Sequence, residues 1–180
     1  MKGVVFVKFN EFTEELWGEE FWDELLDEAK LPSEGAYTTV VTYDDQELFI
    51  LIGLVADKQN ISLKDVLFTF GKWVFKEFYN IAPAGAHDFK DVFEFLYAVQ
   101  GFIHVDVKKI NPDALVPEFK FLSATDNKLS FHYLSPRKLC FFCEGLLHGL
   151  AVHMGQEIKV SQPECEHEGG QRCVFEVEKI

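Results

Sequence analysis

Residues 129–143, "LSFHYLSPRKLCFFC", contain the change of hydrophobic period that decides the fold. Up to Ser135 the apolar and polar side chains alternate, which is typical of a half-buried β-strand. From Arg137 the pattern becomes helical, and a helix is predicted over residues 137–154, with Gly155 ending it. The stretch therefore predicts a strand that leads directly into a helix.

The segments on either side extend this pattern. "EFKFLS" (118–123) alternates as well, and the turn residues Asp126 and Asn127 join it to the quoted strand, which predicts a hairpin. After the helix, "QEIKVS" and "CVFEVEKI" alternate around "CEHEGGQRC", which predicts a second hairpin. The C-terminal part is thus expected to be ββαββ with one antiparallel sheet.

The N-terminal part has helical periodicity instead. Ser62 is a suitable N-cap, and "APAGA" (82–86) is expected to interrupt the helices. The predicted helices cover residues 14–29, 45–59, 63–80 and 88 to about 108. The fold class is α+β in a single domain, residues 1–180, with a helical part over about 1–110 and a sheet-containing part over about 111–180.

Length and charge limit the function. A chain of 180 residues fits one domain with a substantial core. A formal net charge of -13 argues against binding to nucleic acid or to anionic membranes, because both need a basic face. No signal peptide opens the chain, and the longest apolar run (48–56) is too short to span a bilayer. We therefore expect a cytoplasmic protein whose 4 cysteines are metal ligands or redox-active thiols rather than disulfides.

Three hydrogen-bond donors end the quoted strand. Tyr133 and Ser135 lie on one face of it, and Arg137 starts the next element. Two hydroxyls and a guanidinium suit a ligand that carries carboxylates, because the guanidinium binds a carboxylate bidentately and keeps its charge. The alternative is a strand-end cluster that ties the hairpin to the helix.

His104 lies late in a strongly apolar helical segment, between Ile103 and Val105. A single histidine on an apolar face is more often a packed core residue than a ligand. An imidazole in a dry apolar pocket is also the usual setting of an axial haem ligand. Both interpretations remain open at this level.

The cysteines fall into two groups. Cys140 and Cys143 are one helical turn apart, whereas Cys165, His167 and Cys173 flank a short loop between strands. Thiols and an imidazole in this order are typical of a tetrahedral zinc site that would clamp the helix to the last hairpin. The alternative is four unrelated cysteines in a reducing compartment.

Taken together, these features resemble the H-NOX (haem nitric oxide/oxygen binding) family. The resemblance is carried by "MKGVVF" at the start, the histidine in "FIHVDV", Pro117 before the hairpin, and Tyr133-x-Ser135-x-Arg137 at the entry to a helix. It covers the whole chain. It implies that one haem b lies between the helical part and the sheet-containing part, in a stand-alone protein of the bacterial type.

The resemblance also implies a role for each motif residue. His104 would be the axial ligand of the iron. Tyr133, Ser135 and Arg137 would hold the two haem propionates, and Pro117 would press on the porphyrin and distort it.

Gas selectivity follows from the same resemblance. Oxygen-binding members carry a tyrosine five residues after the motif arginine, and this chain has Phe142 there. None of the residues expected on the distal side of the haem donates a hydrogen bond; they are Val5, Phe9, Val74, Phe78, Phe142 and Leu146. Trp73 and Tyr79 are the nearest donors in sequence. The resemblance thus implies a nitric oxide sensor that excludes oxygen and also binds carbon monoxide.

The zinc pattern is matched only in part. Some H-NOX proteins bind zinc through cysteines that correspond to Cys140, Cys165 and Cys173, together with a histidine three residues before the second of them. That position is Gln162 here. Cys143 is the first choice for the fourth ligand, and His167 is the second.

The expected mechanism is signalling rather than catalysis. Nitric oxide would break the bond between the iron and His104, and the resulting conformational change would act in trans on a histidine kinase or a cyclic-di-GMP enzyme, because the chain ends after its last strand. No nucleophile–base pair or phosphate loop suggests an enzyme. The competing hypothesis is a thiol and zinc redox sensor that uses the cysteine cluster.

Overall fold

The structure, a computed structural model, describes all residues 1–180. Six helices precede the first strand, and a seventh lies between two hairpins. The helices are α1 (Gly3–Trp17), α2 (Glu19–Ala29), α3 (Asp45–Gln59), α4 (Leu63–Asn80), α5 (Val92–Ala98), α6 (His104–Ile110) and α7 (Cys140–Met154). The strands are β1 (Glu118–Ala124), β2 (Lys128–Leu134), β3 (Ile158–Glu164) and β4 (Cys173–Lys179). The predicted α+β class, with helices followed by ββαββ, is confirmed.

Three predicted helices have different bounds, and backbone conformation explains two of them. Residues 14–29 belong to two helices, because Gly18 adopts a φ of 91° that an α-helix does not tolerate. The helix predicted from residue 137 begins at Cys140, because Lys138 has a φ of 51°. The helix predicted over 88–108 is replaced by α5, a π-helical turn over Val99–Ile103, and α6. The cap predicted at Ser62 is confirmed, since its hydroxyl accepts from the Asp65 N–H at 3.1 Å.

The sheet is entirely antiparallel, in the order β1-β2-β4-β3. The β2–β4 register places Tyr133 beside Cys173, and the β1–β2 register places Phe119 on the other side of Tyr133. The edge strand β3 is irregular, because its register to β4 shifts between Ser161 and Glu164. The sheet thus brings residues of both hairpins and of the quoted stretch into one transverse row.

Helix α7 packs closely against α4 because glycines lie at the contact. A Cβ atom at Gly145 would be 2.1 Å from the Phe68 carbonyl oxygen, and one at Gly71 would be 2.3 Å from the Phe142 carbonyl oxygen. Neither position admits a larger residue without a shift of the helices. This close approach sets the depth at which the side chains of α7 enter the interior.

Two apolar cores divide the molecule. One core of 15 buried residues runs from Met1 to Val74, and the other, of 19 buried residues, runs from Phe75 to Val177 and includes the sheet. The division between them therefore falls inside α4 and not at residue 110, where the secondary structure changes. Leu146 of α7 packs against both cores.

None of the helices is both long enough and apolar enough to cross a bilayer.

Candidate functional site

The three donors of the quoted stretch form a connected group. Tyr133, on β2, is buried, and the Ser135 side chain is close enough to its hydroxyl to lower its pKa slightly against the effect of burial. The Ser135 hydroxyl accepts from the backbone N–H of Arg137 at 3.3 Å. Burial raises the pKa of Tyr133, so its hydroxyl keeps its proton and remains a donor. The structure therefore brings the predicted trio together.

The Arg137 guanidinium already has protein partners. Its Nε and one terminal nitrogen donate to the two carboxylate oxygens of Asp45, at 2.6 and 3.1 Å, and its other terminal nitrogen donates to the Leu115 carbonyl at 2.6 Å. A guanidinium has five N–H donors, so two remain for a ligand. Arg137 thus ties the end of the strand to other parts of the protein, as in the strand-end cluster. It also retains two free donors for a carboxylate.

Asp45 was not predicted as part of this site. It is the first residue of α3, and it pairs with the Met1 ammonium at 2.5 Å as well as with Arg137. Burial alone would raise the pKa of Asp45, but hydrogen bonds from Arg137 and the N-terminus, and their positive charges, outweigh it and lower that pKa. Asp45 and Arg137 are far apart in sequence, and no local motif links them. Only the fold could reveal this contact.

The Asp45 carboxylate should make stability depend on pH in the acid range. Its pKa in the folded protein is below the ordinary value of 3.8, so the ionised form stabilises the fold above that pH, and the stabilisation is lost as pH falls through the lowered pKa. Relative to Asp45→Asn, the wild type should be more stable by about 2 kcal/mol at neutral pH, since hydrogen bonds to charged groups contribute about 1.5–3 kcal/mol.

Urea unfolding at a series of pH values measures this difference, which should close below pH 3.8. Asp57→Asn is the matched control, because Asp57 lies on the same helix, is exposed and forms no ion pair in the structure. A difference between wild type and Asp45→Asn that stays constant with pH would contradict the assignment.

His104 is the first residue of α6 and lies against β1. Its ring is 5.8 Å from the Phe119 ring, at an interplanar angle of 70°. Burial lowers the pKa of His104 to about 4, and the Pro117 backbone opposes part of that shift, so the imidazole is neutral at pH 7. The Nδ1 atom is fully enclosed and has no hydrogen-bond partner. A neutral imidazole suits an iron ligand. Because Nδ1 is enclosed and lies on the Pro117 side, Nε2 is the nitrogen that stays accessible to an iron.

The π-helical turn directly before His104 was not predicted. Single π turns occur mostly at functional sites, because the extra residue reorients the side chains that follow. Here Gln100, within that turn, accepts a hydrogen bond from the Phe119 N–H at 2.7 Å. The turn therefore fixes α6 to the first residues of β1, beside the histidine.

The predicted distal residues lie together in the N-terminal core. Phe9 and Val74 are fully buried there. Partly buried side chains that pack against this core are Val5, Phe78, Phe142 and Leu146. Pro117 lies elsewhere, near His104, as its backbone effect on the imidazole shows. The six distal side chains are all hydrocarbon, so this group offers no hydrogen-bond donor.

The two nearby donors have other surroundings. The Trp73 indole N–H donates to Glu15 at 2.9 Å, at an exposed position. Tyr79 packs against the other core, with its ring centroid 4.1 Å from His153 and 4.6 Å from His87. Phe142, in contrast, lies 5.3 Å from Phe70 in the N-terminal core. The position expected to select the gas therefore has an apolar environment.

Three of the four cysteines form a buried cluster. The sulfur atoms of Cys140 and Cys165 are 3.6 Å apart, those of Cys165 and Cys173 are 4.0 Å apart, and all three lie within 4.8 Å of one another. Tetrahedral zinc with bonds of about 2.3 Å to sulfur would separate two thiolates by about 3.8 Å. The cysteines are unbonded thiols, and their spacing fits such an ion.

The two residues predicted as the fourth zinc ligand, Cys143 and His167, lie outside this three-cysteine cluster. Cys143 is buried one turn further along α7, and burial raises its pKa. His167 is exposed, its Nε2 is 2.7 Å from the Lys138 carbonyl oxygen, and its ring stacks on Phe141 at 5.0 Å. Cys143 belongs to the same core as the sheet, but its sulfur is not among the three that cluster.

The cysteine cluster and the donor trio share one row of the sheet. Phe119, Tyr133 and Cys173 are cross-strand neighbours on β1, β2 and β4. Phe119 contacts the His104 ring, and Cys173 belongs to the thiol cluster. The row therefore links the surroundings of His104 to the cysteine cluster by direct side-chain neighbours.

Comparisons with known proteins agree with this arrangement. A sequence model of the family described as Haem-NO-binding matches residues 2–162. The H-NOX protein from S. oneidensis in the Fe(II)NO ligation state is 29% identical, with a TM-score of 0.93, and the match covers 100% of this chain and 99% of that chain. The Fe(II) unliganded H-NOX protein from K. algicida is 29% identical, with a TM-score of 0.92 and coverage of 100% and 97%.

A third relative is the H-NOX protein from Shewanella woodyi, in the Fe(II)CO ligation state with IWP-051 bound. It is 33% identical, with a TM-score of 0.85, and the match covers 100% of this chain and 95% of that chain. The family match spans most of the sequence, and the solved structures match along almost their whole length. The chain therefore belongs to the Haem-NO-binding (H-NOX) family of haem-based gas sensors.

Proposed function

We propose that this protein is a haem-based sensor of nitric oxide that also binds carbon monoxide and excludes oxygen. Two observations carry this proposal: a neutral His104 imidazole packed against β1, and a wholly hydrocarbon group of distal side chains in the N-terminal core. The relatives in the Fe(II)NO and Fe(II)CO ligation states support binding of these two gases.

The residues of this site suit one haem b, between the helical part and the sheet-containing part of a single domain. His104 would bind the iron through Nε2, since Nδ1 is enclosed, and Pro117 lies next to the ring. Tyr133, Ser135 and the two free donors of Arg137 would bind the propionates. A haem held by these residues would supply a ferrous iron with affinity for diatomic gases.

Oxygen would be excluded because its bound form is the polar one. Bound dioxygen carries partial negative charge and needs a distal hydrogen-bond donor, whereas nitric oxide and carbon monoxide need far less help. Phe142 and Val74 offer hydrocarbon only, and Trp73 donates outward to Glu15. The six distal side chains form an apolar wall, which thus disfavours oxygen without hindering the other two gases. Its residues are Val5, Phe9, Val74, Phe78, Phe142 and Leu146.

The selectivity can be tested by adding one hydroxyl. Reduced wild-type protein in air should have the same absorbance spectrum as under nitrogen, and its spectrum should change with nitric oxide or carbon monoxide. Phe142→Tyr should raise oxygen affinity by about 2- to 10-fold, because a neutral hydrogen bond contributes about 0.5–1.5 kcal/mol.

The control is Phe141→Tyr, which adds the same hydroxyl to the neighbouring residue of α7. The Phe141 ring stacks on His167 and lies under Lys64, away from the apolar wall. Phe141→Tyr should leave the absorbance spectra with the three gases unchanged. A stable spectral response of the wild type to air would refute oxygen exclusion.

The signal is proposed to leave the protein through a change in shape. His104 begins α6, the short helix that follows the π turn, and its ring packs on Phe119 of β1. Release of His104 from the iron would therefore free α6 to move. Two ion pairs, Arg137 with Asp45 and Lys2 with Asp113, join the N-terminal part to the later part of the chain. A rotation of one part against the other would change these ion pairs. The receiver would be a separate histidine kinase or cyclic-di-GMP enzyme, and kinase autophosphorylation with and without nitric oxide tests this.

We also propose one structural zinc ion on Cys140, Cys165 and Cys173, since their sulfur spacing fits a tetrahedral ion. The same cluster favours the second candidate function, a thiol redox sensor that releases zinc on oxidation. Zinc analysis and an absorbance spectrum separate the two, because only the haem sensor must have a Soret band.

A further inference from the structure

We infer that the side-chain amide oxygen of Gln162 is the fourth ligand of the metal at the three-cysteine cluster, held in place by Glu144. This inference rests on the proposed zinc site and deepens it. The three sulfur atoms occupy three corners of a tetrahedron, and zinc in structural sites is four-coordinate. One more donor is therefore required from nearby.

The irregularity of β3 places Gln162 for this role. The β3–β4 register passes from Ser161 opposite Glu176 to Glu164 opposite Val174, so two residues of β3 stand where β4 has one. Gln162 and Pro163 are those two residues. Such bulges re-aim a side chain out of the regular alternation of a strand. Because of the bulge, Gln162 is outside the regular strand pairing of β3 with β4. It lies three residues before Cys165.

Of the two polar atoms of the Gln162 amide, the nitrogen has a hydrogen-bond partner and the oxygen has none. Its Nε2 donates to the Glu144 carboxylate at 2.8 Å. Its Oε1 is enclosed and accepts no hydrogen bond, one of two such buried side-chain atoms in the protein. The other is Nδ1 of His104. A buried acceptor without a donor needs a partner, and a cation supplies one.

Helix α7 matches this arrangement. Cys140 and Glu144 are one turn apart on α7, and they contact Cys165 and Gln162 of the β3 segment, respectively. These two contacts run side by side between α7 and β3. Because Glu144 accepts from Nε2, the amide cannot flip, and its oxygen stays on the buried side. Glu144 is thus a positioning residue and not a ligand.

The ligand set has a chemical consequence. A neutral amide oxygen is a harder and weaker donor to zinc than an imidazole nitrogen. In addition, a surface groove lined by Glu144, Gln162 and Cys165 reaches the site. The site should therefore bind zinc less tightly and exchange it faster than three thiolates with an imidazole would.

The test is zinc affinity, measured in the full-length haem-loaded protein against a competing chelator. Gln162→Ala should weaken zinc binding by about 10- to 100-fold, and Gln162→His should strengthen it. Glu144→Ala should weaken binding as well, and Glu144→Gln should restore it, because a glutamine oxygen also accepts from Nε2. The visible absorption bands of cobalt-substituted protein should shift in Gln162→His.

Cys143→Ser and His167→Ala are the matched controls, since both residues lie near the cluster and outside it. They should leave zinc affinity and the cobalt bands unchanged. Unchanged affinity in Gln162→Ala, or a loss confined to either control, would overturn the Gln162 assignment while leaving the zinc site standing. Wild-type protein that holds no zinc would overturn both, and the Soret band reports on the haem independently.

Discussion

Replacing His104 with glycine is expected to remove most of the bound haem, and added imidazole is expected to restore it. His104 offers Nε2 to the iron, because its Nδ1 is enclosed, and glycine leaves a space into which free imidazole fits. Haem content should fall to about a tenth of the wild-type value or less, which corresponds to at least about 1.4 kcal/mol. The Soret absorbance per protein, with and without imidazole, measures it.

The matched control is His132→Gln. His132 lies on β2, at a position paired with Lys120 and Val174 and outside the apolar wall. That variant should keep its haem and its ferrous spectrum. An unchanged ferrous spectrum in His104→Gly would remove the central claim of the proposed function.

Arg137→Ala should have the second-largest effect. It removes three hydrogen bonds within the protein and the two donors that remain for propionates, and it leaves Asp45 with the Met1 ammonium alone. Hydrogen bonds to charged groups contribute about 1.5–3 kcal/mol each. Both the free energy of unfolding and haem retention should therefore fall.

Asp45→Asn separates the two roles of Arg137. That variant weakens the tether but keeps the guanidinium, so it should lose stability with a smaller loss of haem than Arg137→Ala. Ser135→Ala, which removes one hydroxyl, should have a smaller effect still. Competition with apomyoglobin measures haem retention, and equal retention in wild type and Arg137→Ala would mean that Arg137 serves the fold only.

The order of helices and strands could be predicted because it depends on local patterns. Alternation identified β1–β4, helical spacing identified α3 and α4, and Ser62 marked the start of α4. The errors lie where one residue adopts an uncommon backbone conformation. Gly18 divides a predicted helix, and Lys138 delays the start of α7. Neither conformation is required by the hydrophobic period, which is what the prediction used.

Part of the candidate site could likewise be predicted from local sequence, and part could not. Tyr133, Ser135 and Arg137 are adjacent in sequence, and the fold brings them together as predicted. The apolar character of the position of Phe142 was also readable from the chain. The π turn before His104 was not, because it changes the helical hydrogen bonds and not the apolar pattern.

The sequence by itself determined the α+β order, the apolar side chains and the donor trio, since each depends on residues a few positions apart. Tertiary structure alone decided which distant groups meet. Asp45 reaches Arg137, Gln162 reaches Glu144, and Cys143 is left out of the thiol cluster. The physical reason is that such contacts depend on the depth and rotation of α7 against α4 and the sheet. Glycine contacts and a strand bulge set that geometry, and neither leaves a periodic signal in the chain.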